Sequence, residues 1–122
     1  MAVDSTAEAE RLRRVALASA VAGLGLADAV LAAFVFTRRN PPAEPGSGPG
    51  LAELFPDEDR AALGAAAASA QALVQAAPGY GSRLLRRETA APELVAEMGR
   101  DHPGFSPQSY SDVLFLGVQL AG

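Results

Sequence analysis

Three features of the sequence predict an all-α protein. Alanine is the commonest residue, apolar residues recur at helical spacing, and no stretch shows the apolar–polar alternation of a strand. The chain has 122 residues, which fits a single domain. We expect a small bundle of four to five helices: a long apolar helix over residues 1–39, a Pro/Gly-rich linker over residues 40–50 and a helical bundle over residues 51–122.

The first predicted helix is either continuous over residues 4–39 or broken at residues 22–25. Gly23 and Gly25 lie within three positions of each other, and each glycine inside a helix costs about 1 kcal/mol relative to alanine. A kink is therefore expected there. Asp28 is placed to cap a second helical segment.

Apolar side chains occupy every side of this first helix. Roughly 80 further residues can hardly enclose it, so we expect a second copy or a partner protein to cover part of it. Small residues at four-residue spacing, such as Ala18 and Ala22, also predict a close helix contact. The predicted partner interface comprises nine apolar side chains from the first and last helices: Leu17, Val21, Leu24, Leu26, Val30, Leu31, Phe34, Tyr110 and Leu114.

Residues 15–36 raise two membrane-related alternatives. The stretch carries a single charge, Asp28, between flanking arginines, and it is long enough to span a bilayer. Asp28 near its middle costs about 3 kcal/mol on insertion, so a buried helix is favoured over a membrane anchor. The Arg13–Arg14 pair loosely resembles a twin-arginine export signal, although the acidic residues Glu8 and Glu10 do not suit its leader.

The linker and the second helix are predicted from their proline content. Residues 40–50 contain four prolines and three glycines, a composition that neither helix nor strand tolerates. The linker is expected to isolate the first helix from the rest. The second helix is predicted from Pro56, with residues 57–59 as its acidic first turn, to Pro78. The alanine run over residues 65–70 permits close approach of another helix, and an apolar stripe is expected to face the core: Leu63, Ala67, Ala70, Leu73 and Val74.

A third helix is predicted over residues 82–100, with its apolar face at Leu94, Val95 and Met98. Pro92 lies inside it, so either the helix kinks near Thr89 or a new helix begins at Pro92. Residues 101–104 are expected to end it.

The last helix has the clearest start in the chain. Ser106 is expected at the N-cap, Pro107 at the first helical position, and Phe105 packed against Tyr110. Residues 113–121 are apolar nearly all round. A helix of this kind should be enclosed by other helices or by a partner.

Charge and cysteine content narrow the functional classes. The formal net charge is −4 and no third of the chain is strongly basic, which argues against nucleic-acid binding. Without cysteine, disulfides, thiolate metal sites and cysteine nucleophiles are excluded. We expect no metal or cofactor site and a cytoplasmic location, with a membrane-associated or exported protein as the alternative.

Three groups of polar residues are candidates for a site. Asp28 lies among apolar residues, where an unpaired carboxylate is costly; we expect it to cap a helix or pair with an arginine, and buried functional use is the alternative. Arg83, Arg86 and Arg87 have the spacing of one helix face and form a possible patch for an anion or acidic partner. His102 and Met98 have the spacing of a ligand pair, but a helix-ending role for His102 is favoured.

These observations predict a non-catalytic helical interaction module. It would form a homo-oligomer or serve as a small subunit of a larger assembly. A membrane-anchored or exported accessory subunit is the first alternative. A ligand carrier or enzyme with an interhelical pocket is the second, and it is disfavoured because the sequence offers no convergent set of titratable groups.

Overall fold

Six helices make up the part of the chain that the structure describes. The structure is a computed structural model covering residues 2–44, 46 and 48–122, with side chains from residue 6 onward. The helices are α1 (Ala2–Val21), α2 (Leu26–Arg39), α3 (Leu51–Leu54), α4 (Arg60–Leu85), α5 (Ala91–Asp101) and α6 (Pro107–Ala121), and the described residues contain no strand. The predicted all-α bundle is confirmed, with six helices rather than four or five.

The long apolar N-terminal helix is not a single rod. Its two parts, α1 and α2, are separated at Gly23, which has φ +77°, a left-handed conformation that glycine adopts without steric cost. The Arg13 Nε donates to the Asn40 carbonyl at 2.7 Å, so the end of α2 lies beside the middle of α1 and the pair is antiparallel. Gly25, not Asp28, occupies the N-cap of α2, which corrects the expected capping role.

Arg13 joins α1 to the end of α2 and to the linker. Its guanidinium carbon lies 5.7 Å from the centroid of the Phe36 ring, a cation–π geometry. A Cβ added to Gly48 would lie 3.4 Å from the Nη1 of Arg13, so Gly48 of the linker lies close to this guanidinium. The described residues of 40–50 form no helix, and Pro45 and Ser47 lie outside them. The linker therefore packs against α1 instead of isolating it.

Of the acidic residues 57–59, which were predicted to form the first turn of the helix, only Asp59 takes part in its start, as the N-cap of α4. The helix begins at Arg60, and the Asp59 carboxylate accepts from the Ala62 amide at 3.2 Å. Asp57 and Glu58 precede the helix, because residues 55–58 close a turn in which the Glu58 amide donates to the Phe55 carbonyl. The short helix α3, just upstream, was not predicted.

Pro78 lies inside α4 and does not end it. The predicted end at Pro78 is wrong, since the helix continues to Leu85. A proline there removes one backbone hydrogen bond and costs about 3 kcal/mol in an isolated helix. Ala77, Tyr80 and Gly81, on both sides of Pro78, are buried, so packing against the rest of the bundle offsets this cost.

The closest helix contact in the fold is the crossing of α4 and α6. These helices share the most extensive contact of any pair. A Cβ added to Gly81 would overlap the backbone of Gly117, and one added to Gly117 would overlap the carbonyl of Ala77. The close approach thus occurs about two to three turns beyond the alanine run over residues 65–70, where Ala70 is buried and Ala65 and Ala68 are exposed.

The core lies between α2, α4, α5 and α6. The predicted stripe of α4 faces it, with Leu63, Ala70, Leu73 and Val74 buried. A separate helix, α5, begins at Ala91, one residue before the predicted start at Pro92, and its Leu94 and Met98 are buried in the same cluster. Among described side chains, α1 contributes only Leu17 to the buried set. The start of α6 is as predicted: the Ser106 hydroxyl accepts from the Ser109 amide at 3.2 Å, and the Phe105 and Tyr110 rings meet edge to face.

Candidate functional site

Most of the residues predicted to face a partner lie inside one copy of the chain. Leu17, Val30, Leu31, Tyr110 and Leu114 are all buried. The structure corrects the expectation that a second molecule must cover them, because α1, α4 and α6 already pack against α2 within one copy. Their apolar character is accounted for by the fold itself.

The other four predicted interface residues lie nearer the surface. Leu26 and Phe34 are half-buried and pack against the core. Val21 is half-buried at the end of α1, and Leu24 is exposed in the turn that follows. Only Leu24 is freely available to another molecule.

Residues 15–36 do not form a membrane-length helix. The break between Val21 and Leu26 divides the stretch into parts of two antiparallel helices. No helix in the described part of the chain combines the length and the apolarity that crossing a bilayer requires.

Asp28 connects the start of α2 to the start of α6. Its Oδ1 accepts from the Ser106 amide at 2.9 Å and from the Ser109 hydroxyl at 2.7 Å. The side chain is half-buried, and charge-assisted bonds to an N-cap satisfy a carboxylate in such a place. Asp28 therefore neither caps its own helix nor pairs with an arginine. Its observed role is to hold two helix ends together.

The three arginines of the predicted basic patch do not share a helix face. Helix α4 ends at Leu85, because Arg87 adopts φ 58° and the Glu88 amide donates to the Arg83 carbonyl, the pattern of a Schellman C-cap. Arg83 pairs with Glu97 at 2.8 Å and Arg86 with Glu88 at 2.8 Å. Two of the three charges are thus matched by carboxylates, which weakens the patch as an anion site.

His102 is the C-cap residue of α5, in agreement with its predicted helix-ending role. Its amide donates to the Met98 carbonyl at 2.8 Å. Met98 is completely buried in the core, so the two side chains do not form a ligand pair. The described residues contain no cluster of three or more potential metal ligands from His, Asp and Glu.

A small polar network surrounds the end of α5. The Tyr80 hydroxyl donates to Asp101 Oδ2 at 3.1 Å, and the Tyr110 hydroxyl donates to the His102 carbonyl at 2.6 Å. Burial raises the pKa of the Tyr80 phenol, and the hydrogen bond to the Asp101 carboxylate raises it further. Both contacts hold neighbouring helices together.

The clearest surface anomaly is Phe115 on the outer side of α6. Val113, Leu116 and Gly117 face the core, and Phe115 points away from them with 69% of its surface exposed. Isolated apolar residues on a surface are ordinary, whereas a large aromatic beside an apolar depression marks a contact site. The sequence indicated an apolar helix at this place but did not say which side chain remains uncovered.

Phe115 borders a depression of about 550 Å³ between α5 and α6. We call it the α5–α6 groove. Leu114, one of the predicted interface residues, lies at its buried floor, and Ser111 is the sole polar residue among the eight that line it: Leu84, Ala91, Pro92, Val95, Ser111, Leu114, Phe115 and Val118. An apolar groove with one protruding aromatic suits contact with another protein surface.

A second exposed apolar feature lies on α1. Leu12 and Val15 are 54% and 57% exposed and face away from the buried Leu17. Neither side chain lines one of the four main depressions on the described residues, and the neighbouring Glu8–Arg11 ion pair at 2.6 Å keeps that side of the helix polar. The α5–α6 groove is thus the better candidate for a functional surface.

No protein-family model, no curated protein and no solved structure matches this chain.

Proposed function

We propose that the chain is a non-catalytic helical interaction module that self-associates through the α5–α6 groove. The observation that carries the proposal is the exposure of Phe115 at the edge of an apolar depression of about 550 Å³. Aromatic side chains that fill apolar pockets contribute more to protein association than other contacts do.

The relation between Phe115 and the groove favours a second copy as the partner. A protruding side chain and a depression that adjoin each other form a self-complementary surface. Under twofold symmetry, Phe115 of each copy enters the groove of the other, and both contacts form at once. Leu84, Val95 and Val118 supply the apolar walls that such a ring would contact.

The groove also lies where association does not disturb the fold. Its walls come from the outer sides of α5 and α6 and from Leu84 at the end of α4, while Val113 and Gly117 on the inner side hold α6 against α4. A copy can therefore dissociate without losing its core. This arrangement predicts a reversible dimer rather than an obligate one.

The test is the mass in solution, measured by light scattering or sedimentation over a range of concentrations. Wild type is expected to reach the mass of a dimer, Phe115→Ser to remain a monomer, and Leu12→Ser, which removes another exposed apolar side chain, on α1, to behave as wild type. Thermal melts of the two variants should agree closely, since neither side chain belongs to the core.

Two results would contradict the proposal. A wild type that stays monomeric at high concentration would exclude self-association and leave a different protein as the occupant of the groove. Loss of the dimer in Leu12→Ser but not in Phe115→Ser would move the contact to the outer side of α1.

A further inference from the structure

A second cavity, independent of the α5–α6 groove, lies where α1, α2, α3 and α4 meet. It has a volume of about 580 Å³, within the range of small-molecule sites. Its floor consists of core side chains, namely Leu17 of α1, Ala33 of α2 and Val74 of α4, and Phe34 adds an aromatic wall. The site is therefore built on residues that the fold already holds in place.

The outer wall of this cavity is the short helix α3 with the residues that precede it. Leu51 and Leu54 line the cavity, and Leu51 also packs against the core. The Glu53 carboxylate, on the other side of α3, lies 3.9 Å from the Arg14 guanidinium of α1. The wall is thus tied to α1 by charge, and its apolar side chains point inward.

The rim of the cavity carries one charge and three neutral polar groups. Arg38 is the charged residue, and Thr37, Gln71 and Gln75 are the neutral ones; the lining includes no carboxylate. Within the described residues the Arg38 side chain forms no hydrogen bond or ion pair. Its neighbour Arg39, by contrast, donates to Gln119 at 3.2 Å. An unmatched guanidinium at the mouth of an apolar cavity favours an anion whose remaining part is apolar.

We propose that this cavity binds a small amphipathic monocarboxylate. The aliphatic chain lies against Leu17, Phe34 and Val74, and the carboxylate accepts two parallel hydrogen bonds from the Arg38 guanidinium. The amide groups of Gln71 and Gln75, one turn apart on α4, are placed to hydrogen-bond the same head group. This binding site is separate from the surface proposed for self-association and does not depend on it.

The experiment titrates the full chain with decanoate and, separately, with the uncharged decanol, by calorimetry and by NMR of the methyl groups. Wild type is expected to bind decanoate with shifts centred on Leu17, Leu54 and Val74. Arg38→Gln should weaken decanoate binding about tenfold or more, because charge-assisted hydrogen bonds are lost, and leave decanol binding unchanged. Arg39→Gln is the matched control and should bind both compounds as wild type does.

A second variant tests the cavity rather than the charge. Leu54→Asp places a carboxylate in the wall of the cavity and should abolish decanoate binding. The risk to folding is small, because Leu54 is only half-buried and α3 contains no fully buried residue. The proposal is overturned if wild type does not bind decanoate at millimolar concentration, if Arg38→Gln and Arg39→Gln have the same effect, or if the shifts cluster around Phe115.

Discussion

Helices α6 and α1 are both rich in apolar residues, yet they hold very different positions in the molecule. Val113, Leu116 and Gly117 place α6 in the centre of the fold, whereas α1 buries only Leu17 among its described side chains. The difference lies in how closely each helix can approach its neighbour. Gly81 and Gly117 allow the backbones of α4 and α6 to touch, while α1 rests on α2 through one leucine and the Arg13 contacts.

This comparison shows that apolar content alone does not place a helix in a core. Burial of apolar surface stabilises a fold in proportion to the area removed from water. Small residues at a helix crossing let the two backbones approach closely, and the closer approach buries more of that area. The glycines of the α4–α6 crossing face each other, but the small residues of α1 that lie away from Leu17, including Ala18 and Ser19, are exposed. The same kind of composition therefore produces a core helix in one place and a peripheral helix in the other.

The largest loss of stability is expected from a substitution that disrupts the close contact between α4 and α6. In Gly117→Ala the new methyl group overlaps the Ala77 carbonyl, and we expect a loss of about 3 kcal/mol or more in the free energy of unfolding. Gly64→Ala is the matched control, since a Cβ there meets nothing within 4 Å; it should stabilise α4 by about 0.5–1 kcal/mol. Urea unfolding measures both. Equal effects of the two substitutions would show that the α4–α6 contact is not close.

A smaller loss is expected on the side of α1. Leu17→Ala removes the buried side chain that holds α1 and should cost about 2 kcal/mol, the low end for a buried leucine, because a peripheral helix can shift inward and fill part of the space. Leu12→Ala, on the exposed side of the same helix, should change the free energy of unfolding by less than about 0.5 kcal/mol. If both variants were equally stable, α1 would not be docked as described.

Asp28 connects the start of α6 to α2, the helix against which α1 packs. Asp28→Ala leaves the Ser106 amide and the Ser109 hydroxyl without their acceptor, and we expect a cost of about 1–2 kcal/mol. The exposed Asp112, which accepts from Gln108 at 3.0 Å, provides the control: Asp112→Ala should be close to neutral. If Asp28→Ala left the free energy of unfolding unchanged, the hydrogen bonds from Ser106 and Ser109 to Asp28 would not stabilise the contact between α2 and α6.

Alkaline pH should destabilise the core in particular, because Tyr80 is a core residue of α4. The fold raises the pKa of Tyr80 above its ordinary value of 10.0, chiefly by burial. The protonated phenol is therefore favoured in the folded state, and its stabilising contribution is complete below pH 10 and lost as the pH rises through the folded pKa.

Tyr80→Phe is expected to cost about 1 kcal/mol at pH 7, since the hydrogen bond to Asp101 is lost. Above pH 10 its stability should fall less steeply than that of wild type. Unfolding curves at several pH values check this, and parallel pH dependences of the two proteins would contradict the assigned environment of Tyr80.

Local signals in the sequence predicted helix ends well. Ser106 caps α6 and Pro107 begins it, Pro92 lies in the first turn of α5, and the helix break falls at Gly23, because capping and glycine conformation depend on neighbouring residues only. Pro78 was misinterpreted for the opposite reason. Whether a proline ends a helix depends on what packs on either side, and in this chain those contacts come from α6, distant in sequence.

The candidate surface could be predicted only in part. Leu114, Val30 and Leu31 were all predicted to face a partner, but all three are buried in the core, and of the three only Leu114 also lines the floor of the α5–α6 groove. The apolar pattern of a helix does not say which of its sides another helix will cover. Phe115 and Arg38 were not recognised, because the exposure of the first and the free guanidinium of the second follow from the packing of α5 and α3.

Hydrogen exchange under native conditions tests most directly the claim that α6 belongs to the core and α1 is only docked on it. We expect buried amides of α4 and α6 to exchange through global unfolding alone, with the full free energy of unfolding. Amides of α1 should exchange through a separate opening of lower free energy, unchanged by urea at low concentration. Exchange of α1 and α6 with the same free energy and the same urea dependence would contradict it.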